Sequence, residues 1–365
     1  MTPIKATARE QAALLALLQA GLWETEPENR SAFRLSAESW DIVFRLARQQ
    51  TVTGMAIRGL HYLPGSLLPP ESLLICGAAT TDAIERKNQQ MNQALESLYT
   101  AFREQGLQPI LQKGQGTARF YEQPLLRESG DIDLYFHDRP SWEKALACLQ
   151  SRQIRINRNA DGSLSYLWQG IIVEHHRHLF DLYNPSLQRL AHRLEQAKGF
   201  SRFALSSATE ISAPSPFLDL LLQNLHILKH ALSRGIGLRQ LCDLARTCYR
   251  LRGDIDPAEM KAIYRELGLA RWTSLLHRFL TDCLGLPASC LPCPETAPSA
   301  QPLADIIWRG GNFGQYDSGL SHEATGWQRK WQTARSFGRN VRFAVRYAPK
   351  EASWFFIQLA KGQFK

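Results

Sequence analysis

The chain has 365 residues, 44% of them hydrophobic, and a formal net charge of +9; it is too apolar to be wholly disordered and long enough for two or three packed units. No apolar run approaches the roughly 18 residues of a membrane span, and seven scattered cysteines, an odd number, point to a reducing cytoplasm over a disulfide framework. Between Trp327 and Lys365 nine Lys or Arg stand against the single acid Glu351, so the basic excess belongs to one segment and a general nucleic-acid-binding composition is excluded.

The first stretch, MTPIKATAREQAALLALLQAGLW, places Arg9 and Glu10 ahead of its leucines and offers no small-residue cleavage site. It predicts an amphipathic helix and not a signal peptide. Helical spacing continues in AESWDIVFRLARQQ after Ser36. From Pro70 to about Gln105 the pattern predicts one long helix, with Gly77 its one interior breaker. Residues 1–105 thus form an N-terminal helical region.

The texture then changes. QPILQ (108–112) is a short apolar run, GQGTARFYE a short helix, and DIDLYF (131–136) a strand rich in β-branched and aromatic residues. PSWEKALACLQSR (140–152) restores helical spacing, and QIRINR, SLSYLWQ and GIIVEHHRHLF are strand-like runs parted by Asp161-Gly162 and Gly170. An α/β core over 106–210 follows, with its strands before residue 183. Helical spacing returns in PFLDLLLQNLHILKHALSRG, GLRQLCDLARTCYRLRG, PAEMKAIYRELG and ARWTSLLHRFLTDCLG, a helical domain over 211–285. The Pro-, Ser- and Ala-rich stretch 286–302 reads as a linker, and 303–365 as a basic, aromatic C-terminal helical region. Cys290 and Cys293 make a CxxC with Pro292 between them, but no second Cys or His pair follows to complete a four-ligand metal site.

Gly-Asp-Ile-Asp occurs twice, at 130–133 and 253–256. Two acids one residue apart on a strand point to the same face, where they can hold a hard divalent cation; standing alone, they also suit a solvated strand edge. Asp131 and Asp133 have the richer setting, because strand, glycine turn and short helix precede them. Gly114 and Gly116 at a helix start free backbone N–H groups to face phosphate, with Lys113 beside them as a point charge. In the second copy, Asp256 before Pro257 predicts a helix N-cap with proline at the first helical position.

LQKGQGTARFYEQPLLRESGDIDLYF resembles a segment of the bacterial "uncharacterised nucleotidyltransferase" family, within the polymerase-β-like nucleotidyltransferase superfamily, through Lys113, Gly114, Tyr121, Pro124, Arg127, Asp131 and Asp133. The likeness continues to Glu174-x-His176 and to His226, His230, Arg239 and Asp243, over roughly 105–250. It implies an α+β fold, a small mixed-sheet nucleotidyltransferase-like core embedded in a mainly helical chain. It also implies transfer of a nucleoside monophosphate from an NTP such as ATP to an acceptor hydroxyl, with Mg²⁺ (or Mn²⁺) as cofactor. Asp131, Asp133 and Glu174 would be the catalytic and metal-binding acids, and Lys113, Gly114, Gln115 and Arg127 would bind the nucleotide. Strand parity puts Ile172, Glu174, His176 and His178 on one face and Val173 and His175 on the other. Glu174, His176 and His178 could instead form a transition-metal site. His176, His226, His230, Arg239 and Asp243 are candidates to line the cleft; the last four also suit a structural polar cluster between two helices. The wider superfamily has Gly-Gly or Gly-Ser at the turn, where this chain has Gly114-Gln115.

Arg335, Arg339, Arg342 and Arg346 recur at four-, three- and four-residue spacing, near Trp331, Phe337, Phe343 and Tyr347. This stripe is a solvated helix face or a seat for an anionic partner: RNA, an acidic protein or a membrane surface. The acceptor stays open among a small molecule, a sugar, a protein and RNA. The alternatives are a catalytically weak nucleotide-binding regulatory protein of the same fold and an RNA-modifying enzyme anchored by the basic tail.

Overall fold

Thr7 and Glu10 close the first helix, α1 (Ala8–Trp23), with a capping box: the Thr7 side chain accepts from the Glu10 N–H, and the Glu10 carboxylate accepts from the Thr7 N–H at 2.8 Å. The computed structural model describes residues 4, 6–159, 162–207, 209–232, 235–310 and 341–360. Helices α2 (Ala37–Gln49) and α3 (Thr53–Leu60) pack on α1. The α1–α3 contact is backbone to backbone, since a Cβ on Gly59 would fall 2.1 Å from the Leu17 carbonyl oxygen. The long helix, α4 (Glu71–Arg103), runs 33 residues as the sequence predicts.

A seven-stranded mixed sheet follows: β1 (Ile110–Leu111), β2 (Ile132–Tyr135), β3 (Asn157–Arg158), β4 (Leu164–Trp168), β5 (Ile171–His176), β6 (Phe200–Ala204) and β7 (Glu210–Pro214), in the order 3-4-5-2-1-7-6. The pairs β2–β5 and β1–β7 are parallel and the others antiparallel. Interleaved are α5 (Gln115–Ala118), α6 (Arg139–Ser151) and α7 (Pro185–Lys198). One face of the sheet is sealed by α4 and α6: Met91, Leu95, Leu98 and Phe102 meet Ala145, Leu149, Ile132, Leu134 and Val173 in one apolar cluster. The fold is α+β, a mixed sheet within a mostly helical chain.

No strand is expected from the sequence beyond residue 183, whereas β6 and β7 extend the sheet to Pro214. Every residue of β6 is exposed or half-buried, so it lacks the apolar alternation that marks a strand, and β7 ends in a proline. The run QIRINR shrinks to the exposed pair Asn157–Arg158.

The four helices expected after residue 210 are α8 (Pro216–Leu232), α9 (Leu238–Arg250), α10 (Pro257–Glu266) and α11 (Ala270–Leu284); α12 (Gln301–Gly310) and α13 (Pro349–Ala360) follow. They join α1, α2 and α3 in one apolar cluster, which also takes in Leu286, Cys290, Leu291, Cys293 and Ala300 of the proline-rich stretch. Cys290 and Cys293 are buried thiols, and the Cys293 carbonyl accepts from His277 Nδ1 at 2.8 Å. Arg342 and Arg346 are exposed on helical residues 341–347, while Phe343 packs edge-on against Trp272 at 6.1 Å between centroids. Trp331, Arg335, Phe337 and Arg339 lie outside the described residues.

The second Gly-Asp-Ile-Asp is the N-terminus of α10, where the Asp256 carboxylate accepts from the Ala258 N–H at 2.9 Å and Pro257 opens the helix. Replacing Asp256 by alanine is expected to cost about 1 kcal/mol of stability, read by urea denaturation.

Candidate active site

Parallel register between β2 and β5 sets Asp133 beside Glu174 and Tyr135 beside His176. Ile132, Leu134, Val173 and His175 turn into the core, each at most 1% exposed, so the acids and His176 project from the opposite face. There, one ligand atom each from Asp133, Glu174 and His176 lies within 4.8 Å of the others. His176 Nε2 donates to Asp133 Oδ1 at 2.7 Å and stands 3.6 Å from Glu174 Oε2. Lys113 Nζ approaches Asp133 Oδ1 to 3.5 Å. Asp131, just ahead of β2, is half-buried and lines the same cavity, outside this tight group. The rival trio of Glu174, His176 and His178 does not form among the described residues; the third member beside Glu174 and His176 is Asp133.

Burial works against the Asp133 charge, but Lys113 and His176 outweigh it and hold this carboxyl well below the ordinary aspartate range. Asp131 is raised, first by the charge of Asp133 and then by burial. Glu174 is raised by burial and by Asp133. Two carboxylate oxygens and an imidazole nitrogen, fixed on adjacent strands beside further acid, fit a divalent cation.

The turn after β1 delivers Lys113. Gly114 caps α5 at φ 64°, ψ −117°, a conformation that favours glycine, and a Cβ there would sit 3.3 Å from the Asp131 carbonyl oxygen. Lys113, Gly114 and Thr117 line the cavity. Gln115 does not. Its amide nitrogen donates to Asn92 Oδ1 at 2.7 Å, and its oxygen accepts from Ser129 Oγ at 2.8 Å. The Gln115 side chain thus ties the turn to α4 and to Ser129.

Arg127 is also bonded within the protein. Its Nε and Nη2 donate to Asp243 at 2.9 and 2.6 Å, and its Nη1 donates to Ser129 Oγ at 2.7 Å. Tyr121 donates to the same Asp243 at 2.8 Å. Burial opposes the Arg127 charge, yet the Asp243 carboxylate overrides it and keeps the guanidinium firmly protonated. Arg127 and Asp243 reach the cavity wall while bonded to each other and to Ser129 and Tyr121.

The cavity encloses about 270 Å³ and brings together Lys113, Gly114, Arg127, Asp131, Asp133, Glu174, His176, His226, His230, Arg239 and Asp243. Its far wall is α8 and the start of α9. The His226 and His230 rings meet edge-on at 4.4 Å, and burial with the charges of Lys113 and His230 pushes His226 well below the ordinary imidazole range, so it stays neutral. Lys229 shares this wall and pairs with Asp181. Lys229 belongs to no motif in the sequence, although its place three residues after His226 puts both on one helix face. Thr117, three residues after Gly114, is likewise unmarked in the sequence and lines the cavity.

A family model described as an uncharacterised nucleotidyltransferase matches residues 36–285. That span is more than half of the chain, and the chain belongs to this family. No curated protein and no solved structure matches it. Nucleotidyl transfer is the general class of reaction that this membership gives the chain.

Proposed function

From that membership we propose that the chain moves a nucleoside monophosphate from an NTP to an acceptor hydroxyl with Mg²⁺ or Mn²⁺ bound at Asp131, Asp133 and Glu174. The observation that carries the reading is the meeting of Asp133, Glu174 and His176 with Lys113 and its glycine turn in one cavity. Bound there, the cation would supply positive charge to the oxygens around the reacting phosphorus. The chain's own groups do the rest. Lys113 and the N-terminus of α5 hold the triphosphate, and the α8–α9 wall with Arg239 meets its outer phosphates. Glu174, raised by burial, either ligates the cation or accepts the hydroxyl proton. The acceptor oxygen bonds to the α-phosphorus as the bond to the bridging oxygen breaks, and pyrophosphate leaves.

An NTP labelled at the α-phosphate, incubated with Mg²⁺ and separated pools of small molecules, sugars, proteins and RNA, tests this reading. Label is expected to pass to one pool and to stop on chelation. No transfer, together with no Mg²⁺-dependent NTP binding, would overturn the enzyme reading. Glu174→Gln is expected to lower transfer by about 10²-fold, and Asp254→Asn, on an exposed turn, to leave it unchanged.

One observation favours a second reading, of nucleotide binding with weak catalysis. Gln115 is tied to Asn92 and Ser129, so its side chain offers the phosphates no contact of the kind a serine there would make. Tight Mg²⁺-dependent NTP binding without transfer to any pool would select it. A cytoplasmic location belongs to the proposal, since an NTP donor is needed; no helix among the described residues is long and apolar enough to cross a membrane.

A further inference from the structure

The cavity wall between β5 and α7 is an irregular segment, residues 179–184, of which Leu179, Phe180 and Asp181 face the cavity. Gln188 on α7 fastens it from one side: its oxygen accepts from the Leu182 N–H at 3.0 Å, and its nitrogen donates to the Phe180 carbonyl at 2.9 Å. The other fastening comes from the first turn of α13. Glu351 is 3% exposed, and its carboxylate accepts from the Tyr183 N–H at 2.8 Å and the Asn184 N–H at 3.3 Å. Around it, Asn184 Nδ2 donates to the Lys350 carbonyl at 3.3 Å, and the Tyr183 and Phe355 rings meet edge-on at 4.9 Å. Lys350 Nζ donates to the Glu266 carbonyl at 2.7 Å, which ties the same turn to the end of α10.

A carboxylate is costly to bury, and two consecutive amide N–H groups at 183 and 184 are costly to leave unmet. Each solves the other's difficulty. The loop so held also presents Asp181 to Lys229 on the α8 wall, the wall proposed to meet the outer phosphates. We infer that Glu351 is a positioning residue for the nucleotide site: from beyond the family-matched span it fixes the 179–184 wall, and through that wall the affinity for the donor NTP. This effect on NTP affinity rests on the proposed activity, whereas the fastening itself does not.

Hydrogen exchange of the full chain, with and without Mg²⁺ and ATP, tests both parts in wild type, Glu351→Ala and Glu351→Gln. In the alanine variant the amides of Tyr183 and Asn184 are expected to exchange about tenfold faster or more, the scale of one lost charge-assisted hydrogen bond, while α1 amides keep their rates. The KM for the NTP should rise several-fold, with kcat within about twofold of wild type. Glutamine keeps an acceptor oxygen and should recover most of both. Unchanged exchange at 183–184 in the folded alanine variant overturns the fastening, and faster exchange with an unmoved KM overturns the positioning role. Should the alanine variant fail to fold, Glu351→Asp, which keeps the charge but falls one methylene short, must show the same two shifts, and their absence overturns the inference. If wild type neither binds nor transfers NTP, the proposed function fails with its KM corollary, and exchange alone decides the fastening.

Discussion

Asp133→Asn is expected to cut nucleotidyl transfer by about 10³-fold while leaving the fold intact. Asparagine keeps the shape of the side chain and can still accept from His176, so the β2–β5 register has no reason to shift. What disappears is the negative charge that Lys113 and His176 hold in place against the pull of burial. Without it, a cation loses its most firmly ionised oxygen ligand, and Lys113 loses the partner that stands 3.5 Å away. Thermal denaturation should show a midpoint close to wild type without divalent cation, and a smaller rise than wild type when Mg²⁺ and NTP are added. Asp131→Asn is expected to follow in transfer, because Asp131 lines the same cavity, near enough for the charge of Asp133 to raise its carboxyl. Transfer within tenfold of wild type in Asp133→Asn would remove this residue from the catalytic set.

The side of β2 and β5 that bears the acids was legible from parity alone, because a strand has only two faces and Ile132, Leu134 and Val173 claim one of them. The N-cap at Asp256 was legible for a similar reason: its partner is two residues away. What periodicity does not contain is which strands become neighbours and in what register. The hydrogen bond from His176 to Asp133 spans 43 residues and exists only because β2 and β5 pair in parallel. The same limit hid the work of Gln115. The sequence placed it at a phosphate turn, but its choice between phosphate and protein depends on Asn92, one turn of α4 beyond Asn88, and on Ser129 arriving from another loop. The hold of Glu351 on residues 183 and 184 is of this kind too, with the whole helical domain intervening.

Asp243→Ala is expected to destabilise the protein by about 3–5 kcal/mol, since it strands the buried Arg127 guanidinium without its counter-charge. Urea denaturation measures this directly, and Arg127→Ala should cost a comparable amount by stranding Asp243. The cost lies in the orphaned charge and not in any large net gain from the pair, so the double replacement Arg127→Met with Asp243→Leu should recover much of the loss. Transfer should not recover with it. Arg127 donates to Ser129, Ser129 donates to Gln115, and Gln115 ties to α4, so the pair holds the far side of the turn that delivers Lys113 and Gly114. A stable double variant therefore keeps the carboxylates of β2 and β5 but lets the phosphate turn drift. It should bind NTP more weakly than wild type at near-wild-type stability, and equal affinity in the two proteins would show that the network serves the fold alone.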